Sequence, residues 1–125
     1  MSETLIKGIA FVSVYVDDFE TSYKFYNEVL RLEKEYDMGK LACFFKLGAD
    51  SGLYLQGGNK KNTIDDKTMR TAFTLNVTSA NAMFEKLKEA GVKFVQNAPM
   101  DMGQENFWFQ FYDPSGNILE ILGGK

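Results

Sequence analysis

The residue whose type and setting most suggest chemistry is Glu120, which lies in the apolar segment "ILEIL" (118–122). A carboxylate between aliphatic residues of a strand is costly to bury unless it is paired, hydrogen-bonded or hydrated. Four roles are open to it: metal ligand, catalytic acid or base, counter-charge for a bound cation, or solvated residue. Which of these roles applies depends on the other reactive side chains that the sequence provides.

Metal ligands and nucleophiles are scarce in this chain. Its 125 residues include no histidine and a single cysteine, Cys43. Sites for zinc, nickel or ferrous iron depend on imidazole nitrogens together with carboxylates or thiolates, so we expect neither a metal ion nor a cofactor. Cys43 cannot form an internal disulfide, and we expect it to be a buried, unreactive thiol.

Composition and charge narrow the range of partners. The hydrophobic content of 45% suits one compact domain, and the net charge of −3 comes from well-mixed signs with no basic stripe, which argues against nucleic acid. No apolar run approaches the length of a membrane span, and "MSETLIKG" lacks the features of a signal peptide. With one cysteine, the chain is expected to be cytoplasmic, with no membrane partner.

The first half of the chain predicts one strand, one helix and three further strands. The alternation in "GIAFVSVYV" (8–16) indicates a strand, and Asp17 or Asp18 is a suitable N-cap for a helix near 18–31. Shorter strands are predicted in "LEKEYDM", "LACFFKL" and "SGLYLQ". Residues 57–69 are polar and without periodicity, which indicates a linker.

The second half repeats this order. "RTAFTLNV" (70–77) predicts a strand, and a helix near 79–90 should begin at Ser79 and end at Gly91. Three more strands are predicted in "VKFVQNA", "ENFWFQFY" and "NILEIL".

A shift of 61 residues superimposes the two halves. It places Val16 on Val77 and Asp18 on Ser79, so that core and capping residues coincide. The pattern predicts an α+β fold of two βαβββ modules, residues 1–57 and 70–125, joined by a linker at 58–69. Two such modules can pair so that their bare sheet faces curve around a cavity.

Three segments carry a family resemblance: "FVSVYVDDFETSYKFYNEVL", "SANAMFEKLKEAGV" and the closing "FYDPSGNILEIL". Together they resemble the vicinal oxygen chelate superfamily, which includes glyoxalase I, extradiol dioxygenases, fosfomycin-resistance enzymes and bleomycin-resistance binding proteins. The resemblance implies a curved, mostly antiparallel eight-stranded sheet around the cavity. It also implies a homodimer, in which a twofold partner covers the exposed strand edges.

The resemblance also implies where a metal ion would be held in enzymes of this family. The ligand positions on the first, fourth, fifth and last strands correspond to Phe11, Tyr54, Ala72 and Glu120. Only Glu120 is a metal ligand by type. The chain is therefore most similar to the metal-free, bleomycin-resistance type of binding protein.

The sheet face opposite the core is expected to line the cavity, because side chains alternate between the two faces of a strand. Burial of Cys43 and Phe45, for example, leaves Phe44 and Lys46 on the other face. The same rule assigns Thr74 to the cavity face. The predicted ligand-binding residues are Phe11, Tyr15, Phe44, Lys46, Tyr54, Gln56, Trp108, Gln110, Tyr112 and Glu120. Aromatic rings with a few polar groups are typical of a small-molecule pocket.

The leading functional hypothesis is a protein that binds a small aromatic or cationic organic molecule without metal, as the bleomycin-resistance type of binding protein does; this would make it an antibiotic-resistance protein. The alternative is a lyase or isomerase of the glyoxalase type, with Glu120 as catalytic acid or base or as a residual metal ligand. A carboxyl group in an apolar cavity has a raised pKa suited to proton transfer.

A third hypothesis is an interaction module with an empty cavity. Two simpler interpretations also remain. Trp108 could serve in core packing or in a dimer contact, and Glu120 could form an ion pair with Lys46.

Overall fold

The structure is a computed structural model that describes residues 5–61 and 71–125. Most of the predicted linker therefore lies outside the described residues. The first module contains β1 (Val12–Tyr15), α1 (Phe19–Lys24) with a π-helical turn (Phe25–Val29), β2 (Lys34–Asp37), β3 (Ala42–Leu47) and β4 (Ser51–Gln56). The second contains β5 (Thr71–Ser79), α2 (Ala80–Glu89), β6 (Met100–Gly103), β7 (Asn106–Tyr112) and β8 (Ile118–Gly124).

The eight strands form two hydrogen-bonded sheets of four. Their orders are β1-β4-β3-β2 and β5-β8-β7-β6, and in each sheet the first strand pairs in parallel while the other pairings are antiparallel. The duplicated order produces the same topology twice. The predicted α+β fold of two βαβββ modules is confirmed.

The first helix changes its hydrogen-bonding pattern midway. Its N-cap is Asp18, which accepts a hydrogen bond from the Thr21 hydroxyl rather than from the helix backbone. After Lys24 the backbone widens to a π-helical turn, in which the Leu30 N–H donates to the Phe25 carbonyl at 3.0 Å. Widening of this kind inserts an extra residue into the turn.

The second helix follows its sequence signals closely. The Ser79 hydroxyl accepts a hydrogen bond from the Ala82 N–H at 3.1 Å, which caps the N-terminus. Gly91 has φ of +79°, the left-handed conformation that glycine adopts without strain after a helix end. Between these ends the helix buries Ala80, Phe84 and Leu87.

One hydrophobic core joins the two modules. The alternate residues of the inner strands are buried, among them Leu53 and Leu55 on β4 and Ile121 on β8. The rings of Phe25 and Phe111 lie 6.2 Å apart and connect the two halves. The core also holds Cys43, where burial raises the pKa of the thiol to about 11, as expected of an unreactive cysteine.

The turn "DPSGN" fastens the modules together. The Tyr26 hydroxyl donates to the buried Asp113 carboxylate at 2.6 Å, and Ser115 exchanges hydrogen bonds of 3.0 and 2.8 Å with Asp17. Desolvation raises the pKa of Asp113, and burial beside that carboxylate raises the pKa of Tyr26. The motif is thus a contact between modules as well as a turn.

The prediction that a strand lies in "VKFVQNA" is wrong in position. Only Phe94 forms a β-bridge, with Phe111, and the edge strand β6 starts later, at Met100. Before it, the Gln96 side chain replaces a ladder residue: its carbonyl accepts from the Gln110 N–H at 2.6 Å and its amide donates to the Gln110 side chain at 2.9 Å. A side-chain amide therefore satisfies the β7 backbone where the neighbouring backbone leaves the sheet.

The predicted first strand is shorter than its alternation suggested, since only Val12–Tyr15 of residues 8–16 pair in the sheet. No helix among the described residues is long and apolar enough to cross a membrane.

Candidate ligand-binding site

Five aromatic side chains cover the outer face of the N-terminal sheet. We refer to them as the aromatic face; its members are Phe11, Tyr15, Tyr36, Phe44 and Tyr54. Phe44 is central, with its ring centroid 5.1 Å from those of Phe11, Tyr36 and Tyr54. Tyr15 extends the group through Tyr54, at 6.4 Å. Alternation along the strands placed four of these residues here, and Tyr36 on the edge strand was missed.

The aromatic face is open to solvent in the single chain. Phe11, Tyr15 and Tyr36 are 46%, 51% and 47% exposed, although rings of this size are usually buried. The Tyr54 hydroxyl donates to the Gln56 side-chain carbonyl at 2.7 Å, which holds the central ring in place. An exposed group of rings in mutual contact is typical of a surface that binds something.

Lys46 lies beside the aromatic face but does not neutralise Glu120. Its ammonium Nζ is 3.7 Å from a carboxylate oxygen of Glu33, and the lysine side chain is exposed. The suggested Lys46–Glu120 pairing is therefore wrong. The two residues lie on different sheets.

Glu120 lies at the centre of a polar group on the C-terminal sheet. We call this group the Glu120 cluster; it comprises Thr71, Thr74, Trp108, Gln110 and Glu120. The Thr74 hydroxyl donates to one carboxylate oxygen at 2.6 Å, and the Gln110 amide and Thr71 hydroxyl donate to the other at 2.9 and 3.2 Å. The Trp108 indole N–H is a fourth donor. Four neutral donors thus match the acceptor capacity of the carboxylate.

These hydrogen bonds keep Glu120 ionised. Desolvation is the largest single effect and raises the pKa of the carboxyl, but the four hydrogen bonds together outweigh it, and the pKa lies below its ordinary value of 4.5. The expectation of a raised pKa is wrong, because the surroundings of Glu120 are polar side chains rather than bare apolar surface.

Sequence patterns missed two contributors to this cluster. The pairing of β5 with β8 shifts register between Thr71 and Phe73, which brings the Thr71 hydroxyl to Glu120 and leaves Ala72, the aligned position, within the irregularity. Gln96 acts indirectly by holding Gln110. Only the register shift reveals Thr71, and no local pattern predicts it.

The three β7 residues predicted for the cavity lie on one face of that strand. Trp108, Gln110 and Tyr112 are opposite Leu122, Glu120 and Ile118 of β8, as alternation requires. Gln110 is 3% exposed and serves the cluster. Tyr112 is buried at the far end, with the Lys93 Nζ 5.9 Å from its ring centroid.

The residues at the positions where the family's enzymes hold a metal ion do not suit one. Phe11 and Ala72 carry no donor atom, and Tyr54 already donates to Gln56. The oxygens of Glu120 accept four hydrogen bonds from neutral groups. Within residues 5–61 and 71–125, no group of three or more histidine, cysteine, aspartate or glutamate side chains could hold an ion. We therefore derive no chemistry through a metal.

The aromatic face and the Glu120 cluster occupy separate sheets. Each sheet turns its opposite face to the core that the modules share. In the part of the chain that the structure describes, the rings of the aromatic face make ring–ring contacts only with one another, and the hydrogen bonds of Glu120 stay within its own sheet. The predicted site residues thus form two groups, each directed away from the common core.

Comparison with known proteins places this architecture in a family. The sequence profile of the Glyoxalase/Bleomycin resistance protein/Dioxygenase superfamily matches residues 8–121. One related protein, the metallothiol transferase FosB of Shouchella clausii (strain KSM-K16), is 24% identical over 121 residues, which cover 96% of this chain and 82% of that protein.

Solved structures share the fold over nearly the whole chain. A putative glyoxalase family protein from Bacillus anthracis has a TM-score of 0.78 at 20% identity and covers 99% of this chain and 100% of its own. The fosfomycin resistance protein FosX from Listeria monocytogenes has a TM-score of 0.74 at 21% identity, covering 97% of this chain and 96% of that chain. At these identities the likeness establishes the fold.

Proposed function

Because the chain belongs to the glyoxalase/bleomycin resistance protein/dioxygenase superfamily, we propose that it binds a small aromatic organic molecule without a metal ion and without chemical conversion. The observation that carries the proposal is the aromatic face, whose rings are in contact with one another yet half-exposed. Planar ligands gain both buried area and ring–ring geometry on such a surface. In the Glu120 cluster, the Thr71 and Thr74 hydroxyls donate to Glu120 and can still accept hydrogen bonds from the ligand's polar part.

The state of Glu120 favours binding over catalysis. A general acid or base works best with a pKa near the operating pH, and the pKa of Glu120 is shifted in the opposite direction. Its oxygens also have their hydrogen-bonding partners already. The lyase or isomerase alternative would need an acid–base group that the cluster does not supply.

We further propose that the protein is a cytoplasmic homodimer that sequesters its ligand, in the manner of an antibiotic-resistance protein. A similar solved structure is named for fosfomycin resistance, and the buried thiol of Cys43 suits a reducing compartment. A dimer would bring the aromatic face of one chain opposite the Glu120 cluster of the other, since the two groups point away from the core within a chain. The edge strands β1 and β5 are available for that pairing.

Binding of benzyl alcohol and of cyclohexylmethanol, measured by NMR titration, tests the proposal. The aromatic probe should bind more tightly, and Tyr54→Leu should weaken it roughly 2- to 12-fold, the value of one ring–ring contact. Tyr54→Phe is the matched control, because it keeps the ring and removes only the hydroxyl bonded to Gln56. Affinity should be the same with EDTA as with added zinc. Equal affinity for both probes, or binding that requires zinc, would contradict the proposal.

A further inference from the structure

A cleft of about 300 Å³ lies at one end of the aromatic face. Its walls include the rings of Phe11, Tyr36 and Phe44. The Phe11 and Phe44 rings meet edge to face at 81°, and Tyr36 is tilted 32° from Phe44 on the other side, each with 5.1 Å between centroids. Three rings, with Phe44 between the other two, therefore line the cleft. Its volume is at the lower limit of ligand pockets, which suits one compact chemical group.

The missing side chain of Gly52 keeps this cleft open. Gly52 lies opposite Lys46 in the β3–β4 ladder, and therefore on the same sheet face as Phe44 and Tyr54. A Cβ at this position would come within 3.8 Å of the Phe11 Cβ and 3.9 Å of the Phe44 ring. Any larger side chain would extend into the cleft beside those two residues.

Two acidic residues, Glu35 and Asp50, complete the rim of the cleft. Both are exposed. The ion pairs among the described residues are Lys34–Asp37 and Lys46–Glu33, and neither involves Glu35 or Asp50. The cleft thus combines aromatic walls with two carboxylates that form no ion pair within the described residues.

We infer that this cleft is a subsite for a quaternary ammonium group, which would contact the rings of Phe11, Tyr36 and Phe44 while Glu35 and Asp50 supply the countercharge. A cation gains energy over the faces of aromatic rings, and a quaternary ammonium suits such a cage because it has no N–H to donate. The inference rests on the proposed function, since the rest of the ligand would lie on the aromatic face. It narrows the ligand class to aromatic quaternary ammonium compounds.

The Glu120 cluster is less suited to the same group. Its carboxylate accepts four hydrogen bonds from neutral donors, which already stabilise the charge. It also carries one aromatic ring, that of Trp108, whose N–H is directed to Glu120. A cation without N–H groups gains more from a cleft lined by three rings than from that site.

Comparison of benzyltrimethylammonium with benzyl alcohol on the full chain tests the inference by NMR titration. The cation should bind roughly 2- to 30-fold more tightly than the neutral probe, and its binding should shift the amide resonances of Gly52 and Asp50. This gain should be lost in Gly52→Val, which fills the cleft, and reduced in the double variant Glu35→Gln/Asp50→Asn, which keeps the rings but removes the countercharge. Because Gly52→Val also brings its Cβ to 3.2 Å from the Phe45 carbonyl, the double variant provides the test if that protein does not fold.

Two controls separate charge in the cleft from charge elsewhere. Glu20→Gln/Glu28→Gln changes the net charge equally on the exposed face of the first helix, and Glu120→Gln removes the charge of the other site. Both should keep the ratio of the two affinities, even where Glu120→Gln weakens the binding of both probes. Equal affinity for the two probes, or loss of the gain in Glu120→Gln alone, overturns the inference and leaves the proposed function standing. Failure of both probes to bind contradicts the proposed function itself.

Discussion

Glu120 illustrates how a carboxylate is retained in an apolar strand. Thr71, Thr74, Gln110 and Trp108 surround it with neutral donors, so the charge is solvated by the protein rather than by a counter-ion. Hydrogen bonds to an ionised group are stronger than those between neutral groups. Glu120 therefore belongs to a prearranged polar group on the sheet, and it stays ionised in the folded protein near neutral pH.

The lowered pKa of Glu120 predicts how stability depends on pH. A carboxyl group whose folded-state pKa lies below its unfolded value of 4.5 stabilises the fold above that pH, and the contribution is lost as the pH falls through the folded-state pKa. The difference in unfolding free energy between wild type and Glu120→Gln should therefore be largest at pH 7 and shrink below pH 4.5. Urea unfolding at pH 7, 4 and 3 measures it. A difference that grows in acid would contradict the assigned ionisation state.

At the scale of elements, the edge of the C-terminal sheet depends on a side chain. Between the bridge at Phe94 and the strand that starts at Met100, the backbone leaves β7, and the Gln96 amide fills the gap at Gln110. Gln110 then reaches Glu120. The irregular segment thus connects the sheet edge to the candidate site through two side-chain amides.

Gln96→Ala should destabilise the fold by about 1–3 kcal/mol, because it leaves the buried Gln110 without a partner for its N–H and its side-chain carbonyl. The free energy of unfolding in urea measures this loss. Asn97→Ala is the matched control at the neighbouring exposed position and should change stability by less than about 0.5 kcal/mol. Equal effects of the two substitutions would mean that the Gln96 contacts contribute nothing.

At the scale of the whole molecule, the two modules share one core and expose two different faces. Phe25 and Phe111 meet inside it, and the Tyr26–Asp113 and Asp17–Ser115 hydrogen bonds hold the modules in a fixed relation. The aromatic face and the Glu120 cluster lie on different sheets around that core. In the proposed dimer, a second chain would bring them together.

The proposed homodimer predicts complementation between variants. Light scattering should give a molar mass that is twice the 14.2 kDa of one chain. Tyr54→Leu and Glu120→Ala dimers should each bind benzyl alcohol weakly, whereas subunit exchange between them should restore about a quarter of the wild-type sites, one in each mixed dimer. A monomer over a wide concentration range would contradict the dimer. A mixture that binds no better than its parents would contradict the shared site.

Local pattern alone determined much of this protein. Alternation along β3, β4 and β7 assigned Phe44, Tyr54 and Trp108 to the face opposite the core, and the capping signals at Ser79 and Gly91 bounded the second helix. The face assignments and the helix bounds could both be predicted because side-chain direction and helix ends depend on neighbouring residues.

Tertiary structure decided what those positions do. Thr71 reaches Glu120, 49 residues away, only because the β5–β8 register shifts, and Gln96 replaces a strand residue only because the backbone leaves the sheet there. Tyr36 joins the aromatic face through the pairing of β2 with β3, which also shifts register beside it. Register depends on contacts between distant segments, and periodicity within a segment carries no information about it.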